Sequence, residues 1–381
     1  MVHKAAGRGR VPPFIVMDVM RAAAARAAAG GDVLHLEVGQ PSTGAPAAVV
    51  EAAARALSSD PLGYTLALGL EPLRRRIARH YRDTYGITVD PANVVVTTGS
   101  SGAFTLAFLA AFEPGDRVGV ACPGYPAYRN ILSALGVEPV LLTLGAESRF
   151  QPTVEALAAI EPPLDGLIVA SPANPTGSML AAGPLAGVVG WCRANGVRLV
   201  SDEIYHGLTY GPPAVSTAGE PDVVTINSFS KYFSMTGWRL GWMVVPEDLL
   251  RSVECLAQNL FISPPSLSQH AALAVFDCAD ELNANLRRYA QNREILLDGL
   301  PSAGFPQLAP ADGAFYLYCD ASRWTADSQD FCRRMLAETG VAATPGIDFD
   351  PLAGHLALRF SFAGATADMV EAVRRLKAWE K

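Results

Sequence analysis

SFSKYFSMTGWRLGW, residues 228–242, follows one short apolar run, Val223–Ile226, and passes into another, Leu240–Val245. Runs of this length, bounded by Ser, Gly and Pro turn residues, read as buried strands. The same unit recurs upstream. Val94–Thr97 precedes GSSGA, Arg117–Ala121 precedes CPGYP, Leu167–Ala170 precedes SPANPTG, and Val197–Ser201 precedes DEIY, with Val137–Thr143 as a further run. Helical stretches fit between most of them, among them Phe104–Phe112 and Leu185–Asn195. Seven strands alternating with helices predict an α/β layered fold with a mainly parallel seven-stranded sheet.

Upstream of this block, Met17–Ala29, Ala47–Leu57 and Glu71–Tyr85 read as helices, with a short strand in HLEVGQPSTGAP. After about Asp277 the rhythm changes. A long helix, Glu281–Leu300, leads to strands around Ala314–Cys319 and Leu356–Ser361 and a last helix, Ala367–Trp379. That order suits a smaller α+β domain. The expected division is an N-terminal segment, 1–45, joining the small domain, then a large domain, 46–279, and a small C-terminal domain, 280–381.

Composition removes several function classes. With 50% hydrophobic and 18% charged residues, the 381-residue chain has material for a core and no disorder signature. A net charge of −7 without a basic stripe argues against nucleic acid. Arg74, Arg75 and Arg76 read as a solvated helical face. The uncharged stretch Leu167–Cys192 has the length of a membrane span, but Pro172, Pro175 and Pro184 interrupt it. The start is basic at Lys4, Arg8 and Arg10, yet VPPFIVM is too short and too proline-rich for a signal peptide. Six scattered cysteines without a CxxC point to reduced thiols in the cytoplasm, and to neither a disulfide framework nor a metal site. The only lysines are Lys4, Lys231, Lys377 and Lys381. Arg carries almost all other positive charge and stays protonated, so a role that needs a deprotonatable amine falls to Lys231.

In open α/β sheets the site lies off the carboxyl ends of the strands. The residues just past the strand ends are Gly99-Ser100-Ser101-Gly102, then Tyr125, Asn174, Asp202 and Tyr205, and finally Ser228, Ser230 and Lys231. By itself a lysine just past a strand is a solvated end residue. Desolvated, its amine loses proton affinity and can form a Schiff base. Ser228, Ser230 and Arg239 around it are what a phosphate dianion needs. Asp202 reads either as a helix N-cap or as the partner of a pyridinium nitrogen, which keeps the ring an electron sink. Tyr205, three residues on, is expected one helical turn away, where it packs or reaches the same ligand. Asn174 sits in a Pro/Gly turn and can donate to a phenolic oxygen. Small residues at 99–103, between strand and helix, let N–H groups approach an anion, a weak signal alone. Tyr125 packs its loop or stacks on a flat ring. Arg359, in the alternating LALRFSF, is a solvent-facing strand residue or a bidentate clamp for a carboxylate.

Together these stretches resemble the class I/II aminotransferases of pyridoxal-phosphate fold type I, the aspartate aminotransferase-like group. The resemblance runs through VGQPS at 38–42, YTLALGLEPLR at 64–74, TTGSSGA at 97–103, PGYP at 123–126, SPANPTG at 171–177, SDEIY at 201–205, the 228–242 block and LRFSFA at 358–363. It implies pyridoxal 5′-phosphate as cofactor, anchored on Lys231, which also shuttles the proton. It implies Asp202 on the ring nitrogen, with Tyr205 and Asn174 on the ring oxygen. Ser100, Ser101, Gly102, Arg239 and Ser228, ahead of Ser230, would hold the phosphate. Tyr125 would cover the ring where the aspartate enzymes carry Trp, which weakens a claim of aspartate specificity. Arg359 would bind the substrate α-carboxylate with the backbone of Gly39. Tyr64 would reach the phosphate of a neighbouring subunit, which implies a homodimer with shared sites. The implied reaction moves an amino group from an L-amino acid to a 2-oxo acid by a ping-pong route. A C–S β-lyase or other eliminating enzyme of the same fold would keep all these residues. Ser228-x-x-Lys231 also matches the S-x-x-K of serine β-lactamases, but no Lys-Thr-Gly accompanies it. Sensor proteins that use this fold carry an additional N-terminal DNA-binding module. The apolar stretch Val11–Met17 is expected near the site entrance and favours apolar or aromatic donors.

Overall fold

A computed structural model describes His3 and residues 5–381; Lys4, one of the basic residues at the start of the chain, lies outside them. The elements run α1 (Ile15–Ala28), β1 (Leu34–His35), α2 (Ala47–Ser59), α3 (Glu71–Tyr85), β2 (Val94–Thr97), α4 (Gly99–Ala111), β3 (Arg117–Cys122) and α5 (Pro126–Leu135). Then come β4 (Glu138–Thr143), α6 (Val154–Ala158), β5 (Gly166–Ala170), α7 (Ala182–Asn195), β6 (Arg198–Asp202), β7 (Val224–Ser228), β8 (Gly241–Val244), α8 (Glu247–Leu260) and α9 (Ser266–Ala272). The chain ends with α10 (Ala279–Ser302), β9 (Tyr316–Asp320), α11 (Ser328–Thr339), β10 (Val341–Ala342), β11 (Thr344–Pro345), β12 (Ala357–Ser361) and α12 (Thr366–Ala378).

Seven strands form one sheet in the order β2-β8-β7-β6-β5-β3-β4. Only β8 runs against its neighbours β2 and β7. The other six therefore point the same way, and their carboxyl ends share one edge. The N-terminal end of β8, where Arg239 and Gly241 stand, meets that edge from the opposite direction. All seven strands expected from the apolar runs are present within a residue or two. The central strands read as unbroken apolar runs because both faces are covered. One face packs Val120, Ile168 and Val200 on Phe104 and Phe108 of α4. The other packs Leu167 and Leu199 on Leu185 and Val188 of α7. Two helical expectations shift. Residues 99–103 are the first turn of α4 and not a connection before it, and α7 starts three residues early at Ala182.

A three-stranded antiparallel sheet, β11-β12-β9, carries the C-terminal part with α10, α11 and α12. β1 joins that part by pairing with β10, and Leu34 and Leu36 bury in the same core as Leu296, Phe360 and Leu376. The uncharged stretch 167–192 is divided between β5, a loop and α7. Among the described residues no helix is long and apolar enough to cross a membrane.

Candidate active site

A cavity of about 410 Å³ opens at the shared strand edge, between the seven-stranded sheet, α1 and the β9–β12 sheet. Lys231 reaches it from the loop after β7. Its Nζ donates to the carbonyl of Gly39 at 2.7 Å and lies 5.6 Å from the centre of the Tyr205 ring. Removal from water lowers the ammonium to about 8, and the cations of Arg359 and Arg239 push the same way against the opposing pull of Asp202.

Asp202 closes β6 at the floor of the cavity and is almost fully buried. It does not cap a helix: residues 204–207 form a turn, and Asp202 Oδ1 accepts from the Ile204 N–H at 3.0 Å. The Tyr128 hydroxyl donates to the other oxygen. Burial raises the Asp202 carboxyl to about 6 despite these two donors. A carboxylate so placed is short of positive charge on its open side, which a cationic ring nitrogen would supply. Tyr205 reaches the cavity through the turn, with its hydroxyl 2.7 Å from that of Tyr316.

Arg359, expected to face solvent if it had no ligand, is 3% exposed. β12 is covered on both faces, so its side chain turns into the cavity. Nη1 donates to Asn174 Oδ1 at 2.9 Å, and Nη2 to the Glu37 carbonyl at 2.5 Å and to Thr344 Oγ1 at 3.2 Å. The guanidinium lies 4.3 Å over the Tyr316 ring and 4.6 Å over Phe349. Its Nε is buried and has no partner among the described residues. A buried orphan donor on a guanidinium fork suits a carboxylate. Gly39 sits against this group, where a Cβ would come within 2.1 Å of the Tyr316 hydroxyl.

The opposite end of the cavity is built for an anion. α4 starts at Gly99 with no side-chain cap, leaving the N–H groups of its first turn for a ligand. A Cβ at Gly99 would stand 2.6 Å from Arg239 Nη2, and one at Gly241 would stand 2.8 Å from the Ser100 N. These two glycines let Arg239 and the helix start crowd together. Arg239 itself takes φ 51°, a left-handed backbone that non-glycine residues seldom adopt and that recurs at functional sites. Ser100, Ser101, Ser230 and Arg239 all line the cavity there. An anion cradle, a buried carboxylate at the floor, the Tyr125 ring on the wall and a depressed lysine together fit pyridoxal 5′-phosphate.

Of the residues singled out from the sequence, Gly39, Ser100, Ser101, Tyr125, Asn174, Asp202, Tyr205, Ser230, Lys231, Arg239 and Arg359 come together on this wall. Gly102 is buried one position behind it. Ser228 also lies behind, its hydroxyl accepting from the Ser230 N–H at 3.1 Å, so of the two serines Ser230 holds the surface position. Tyr64 is not among the residues lining this chain's cavity and is 83% exposed. Asn174–Pro175 is cis. Tyr128, Tyr316 and Asp348 were not anticipated. Tyr128 stands three residues after Tyr125, on one face of α5, a spacing that could have marked it. The other two come from segments with no motif.

The family model for aminotransferase class I and II matches residues 31–376. A valine–pyruvate aminotransferase of Mycobacterium tuberculosis is 54% identical over the whole of this chain and 99% of its own. The crystal structure of an aminotransferase from Mycobacterium tuberculosis superposes with a TM-score of 0.97, at 53% identity and 99% coverage of both chains. A double mutant of the Thermus thermophilus aspartate aminotransferase gives a TM-score of 0.92 at 30% identity, covering 99% of this chain and 100% of that one.

Proposed function

This chain belongs to the class I and II aminotransferases, and on that premise we propose that it moves the amino group of an apolar L-amino acid, such as valine, onto pyruvate. It has the pyridoxal-phosphate fold type I, uses pyridoxal 5′-phosphate and transfers an amino group to a 2-oxo acid. The charge distribution of the cavity carries the substrate reading. The described residues lining it include three cations, Lys231, Arg239 and Arg359. Arg239 serves the anion cradle and Arg359 the α-carboxylate, which leaves no cation of this chain's described lining for a distal carboxylate. The wall facing α1 includes Phe14, Val16, Met17, Met20 and Ile204, with the carboxylate of Asp348 among them, and the uncharged Gln40 and Thr236 also line the cavity. The valine–pyruvate relative supports the same donor and acceptor.

When bound, the cofactor supplies a protonated pyridine ring that takes up the electron pair left on the substrate α-carbon. The protein's residues do the rest. Lys231 would hold the cofactor through its amine and, as the free amine, would take the α-proton of the bound substrate. Asp202 would keep the ring nitrogen protonated, and Tyr128 orients Asp202. Asn174 and Tyr205 would donate to the ring oxygen, and Tyr125 would cover the ring. Ser100, Ser101, Gly102, Ser230 and Arg239 would hold the phosphate, with Ser228 fixing the turn behind. Arg359 and the backbone of Gly39 would orient the α-carboxylate, and a second 2-oxo acid would take up the amino group.

We also infer a homodimer with shared sites, in the cytoplasm. Tyr64, Leu66, Leu260, Phe261 and Ile262 expose apolar surface, and the Thr65 N–H, donating to Ser263 Oγ at 3.3 Å, ties the two segments together. Phe261 lies against Gly102, beside the anion cradle, so a second copy on this face would bring its Tyr64 near the phosphate. All six cysteines are unpaired, in keeping with a reducing compartment. The pairing of β1 with β10 supports joining residues 1–45 to the small domain, 280–381, with 46–279 as the large one.

Steady-state kcat/KM with pyruvate tests the donor. Valine and leucine should exceed aspartate and glutamate by on the order of 100-fold, since burying an unpaired carboxylate costs several kcal/mol. Equal or better turnover of the dicarboxylates would overturn the reading.

A further inference from the structure

Helix α1 has no cap of its own. Phe14 occupies the N-cap position and offers no side-chain acceptor. The first N–H groups of any helix lack partners within it. Two of them, at Ile15 and Val16, donate instead to Asp348 Oδ1 and Oδ2, each at 3.2 Å, across 333 and 332 residues of chain. Asp348 is 2% exposed, and among the described residues its carboxylate has no other hydrogen-bond donor.

Asp348 sits in the short turn Gly346–Asp348. On one side of that turn β11 pairs Thr344 with Arg359, and on the other the Phe349 ring lies 4.6 Å from the Arg359 guanidinium. The Asp348 carbonyl accepts from Arg129 Nη2 at 2.5 Å, which fixes the turn further. The carboxylate therefore rides on the same loop that sets Arg359. Beyond its two hydrogen bonds, α1 presents Val16, Met17 and Met20 to the cavity, and Phe14 packs on Tyr125 with ring centres 5.8 Å apart. The far end of α1 docks independently. Arg26 donates to the carbonyls of Ala337 and Asp32, each at 2.9 Å, and Ala23 packs with Leu336 and Ala342.

We propose that Asp348 is a positioning residue that determines donor specificity, by pinning the start of α1, and with it the apolar wall, at a fixed distance from the Arg359 clamp. The proposal rests on the apolar-donor reading above. A donor held at its α-carboxylate by Arg359 extends its side chain towards α1. A loosened wall then penalises a branched side chain, which uses that contact, more than the methyl group of alanine.

The test compares wild type with Asp348→Ala and Asp348→Asn as holoenzymes, with valine and with alanine as donor and 2-oxobutyrate as acceptor, because alanine and pyruvate would only exchange with each other. Cap removal is worth about tenfold. Asp348→Ala should lower kcat/KM for valine by about that factor through KM, with a several-fold smaller loss for alanine. Asp348→Asn, which keeps one acceptor, should recover part of the loss. Amide exchange over residues 14–18 should speed up by about the same factor, while residues 21–28 keep their protection. An equal loss for both donors, or a loss in kcat alone, would overturn the specificity role. Unchanged exchange over residues 14–18 would overturn the pinning. If wild type itself turns over aspartate or glutamate better than valine, the apolar-donor reading fails, and the exchange result still decides whether Asp348 holds the helix.

Discussion

The role proposed for Lys231 needs a free amine, and its surroundings move it towards that form. Burial, Arg359 and Arg239 bring its ammonium down to about 8. Between that value and 10.5 the folded apoprotein binds fewer protons than the unfolded chain, so its stability rises with pH across the window. Asp202 behaves in the opposite sense: with its carboxyl raised to about 6, stability falls as pH climbs from 3.8 to there. At neutral pH both groups are charged at a cost to the empty fold. Two results should emerge. Cofactor uptake by the apoprotein, monitored by absorbance, should rise with pH through a midpoint near 8; a midpoint at the ordinary lysine value would contradict this. Lys231→Met should melt above wild-type apoprotein at pH 7 in calorimetry, although it has lost activity. Arg359→Lys keeps the charge but loses the fork, so KM for the donor should rise on the order of 30-fold, with cofactor binding unaffected. Lys231, Asp202, Asn174 and Arg359 were legible in the sequence because each lies just past or on an apolar run whose end has a fixed place in an α/β sheet. Tyr316 and Asp348 were not, because only the packing of β9 and of the 346–348 turn carries them to the cavity.

At the scale of elements, the anion cradle depends on the close approach of β8 to the start of α4. Gly241 has backbone atoms of Gly99, Ser100 and Asn227 within 3.0 Å of its absent Cβ, and none of them can yield as a flexible side chain would. Gly241→Ala should therefore weaken cofactor affinity by tenfold or more, on the order of one charge-assisted hydrogen bond, as read by equilibrium titration. The seven strands of the large sheet were legible to within two residues because apolar runs ended by Gly, Pro and Ser have few other readings, whereas the two-residue β10 and β11 were not read. Helices were less so. α8 begins after Pro246 with Glu247 and Asp248 in its first turn, and α11 has Asp327 accepting from the Gln329 and Asp330 N–H groups and ends at Gly340 with φ 75°. Those start and stop signals stand in the sequence, but neither helix was read from it. The stretch after Asp202 shows the reverse. DEIY has helical spacing, yet hydrogen bonds from His206 to Glu203 and from Leu208 to Tyr205 close it as a turn. Tyr205 thus reaches the site by a route that spacing alone does not give.

At the scale of the whole molecule, the homodimer proposed above rests on the exposed apolar face around Tyr64, Leu66, Phe261 and Ile262. Ile262→Glu should shift the protein to monomer in sedimentation and weaken cofactor retention in parallel, since Tyr64 would then be lost from the neighbouring phosphate site. A monomeric variant with undiminished cofactor affinity would show that the sites are not shared. The central claim is that Lys231, at the carboxyl edge of the sheet, drives amino transfer. Its most direct test mixes cofactor-loaded protein with valine and no acceptor, tracking the cofactor spectrum and the released acid. The account predicts one equivalent of 2-oxo acid per site, conversion of the cofactor to its amine form, and neither event with Lys231→Ala. Ammonia release over many turnovers without acceptor, or an unimpaired half-reaction in Lys231→Ala, would contradict it.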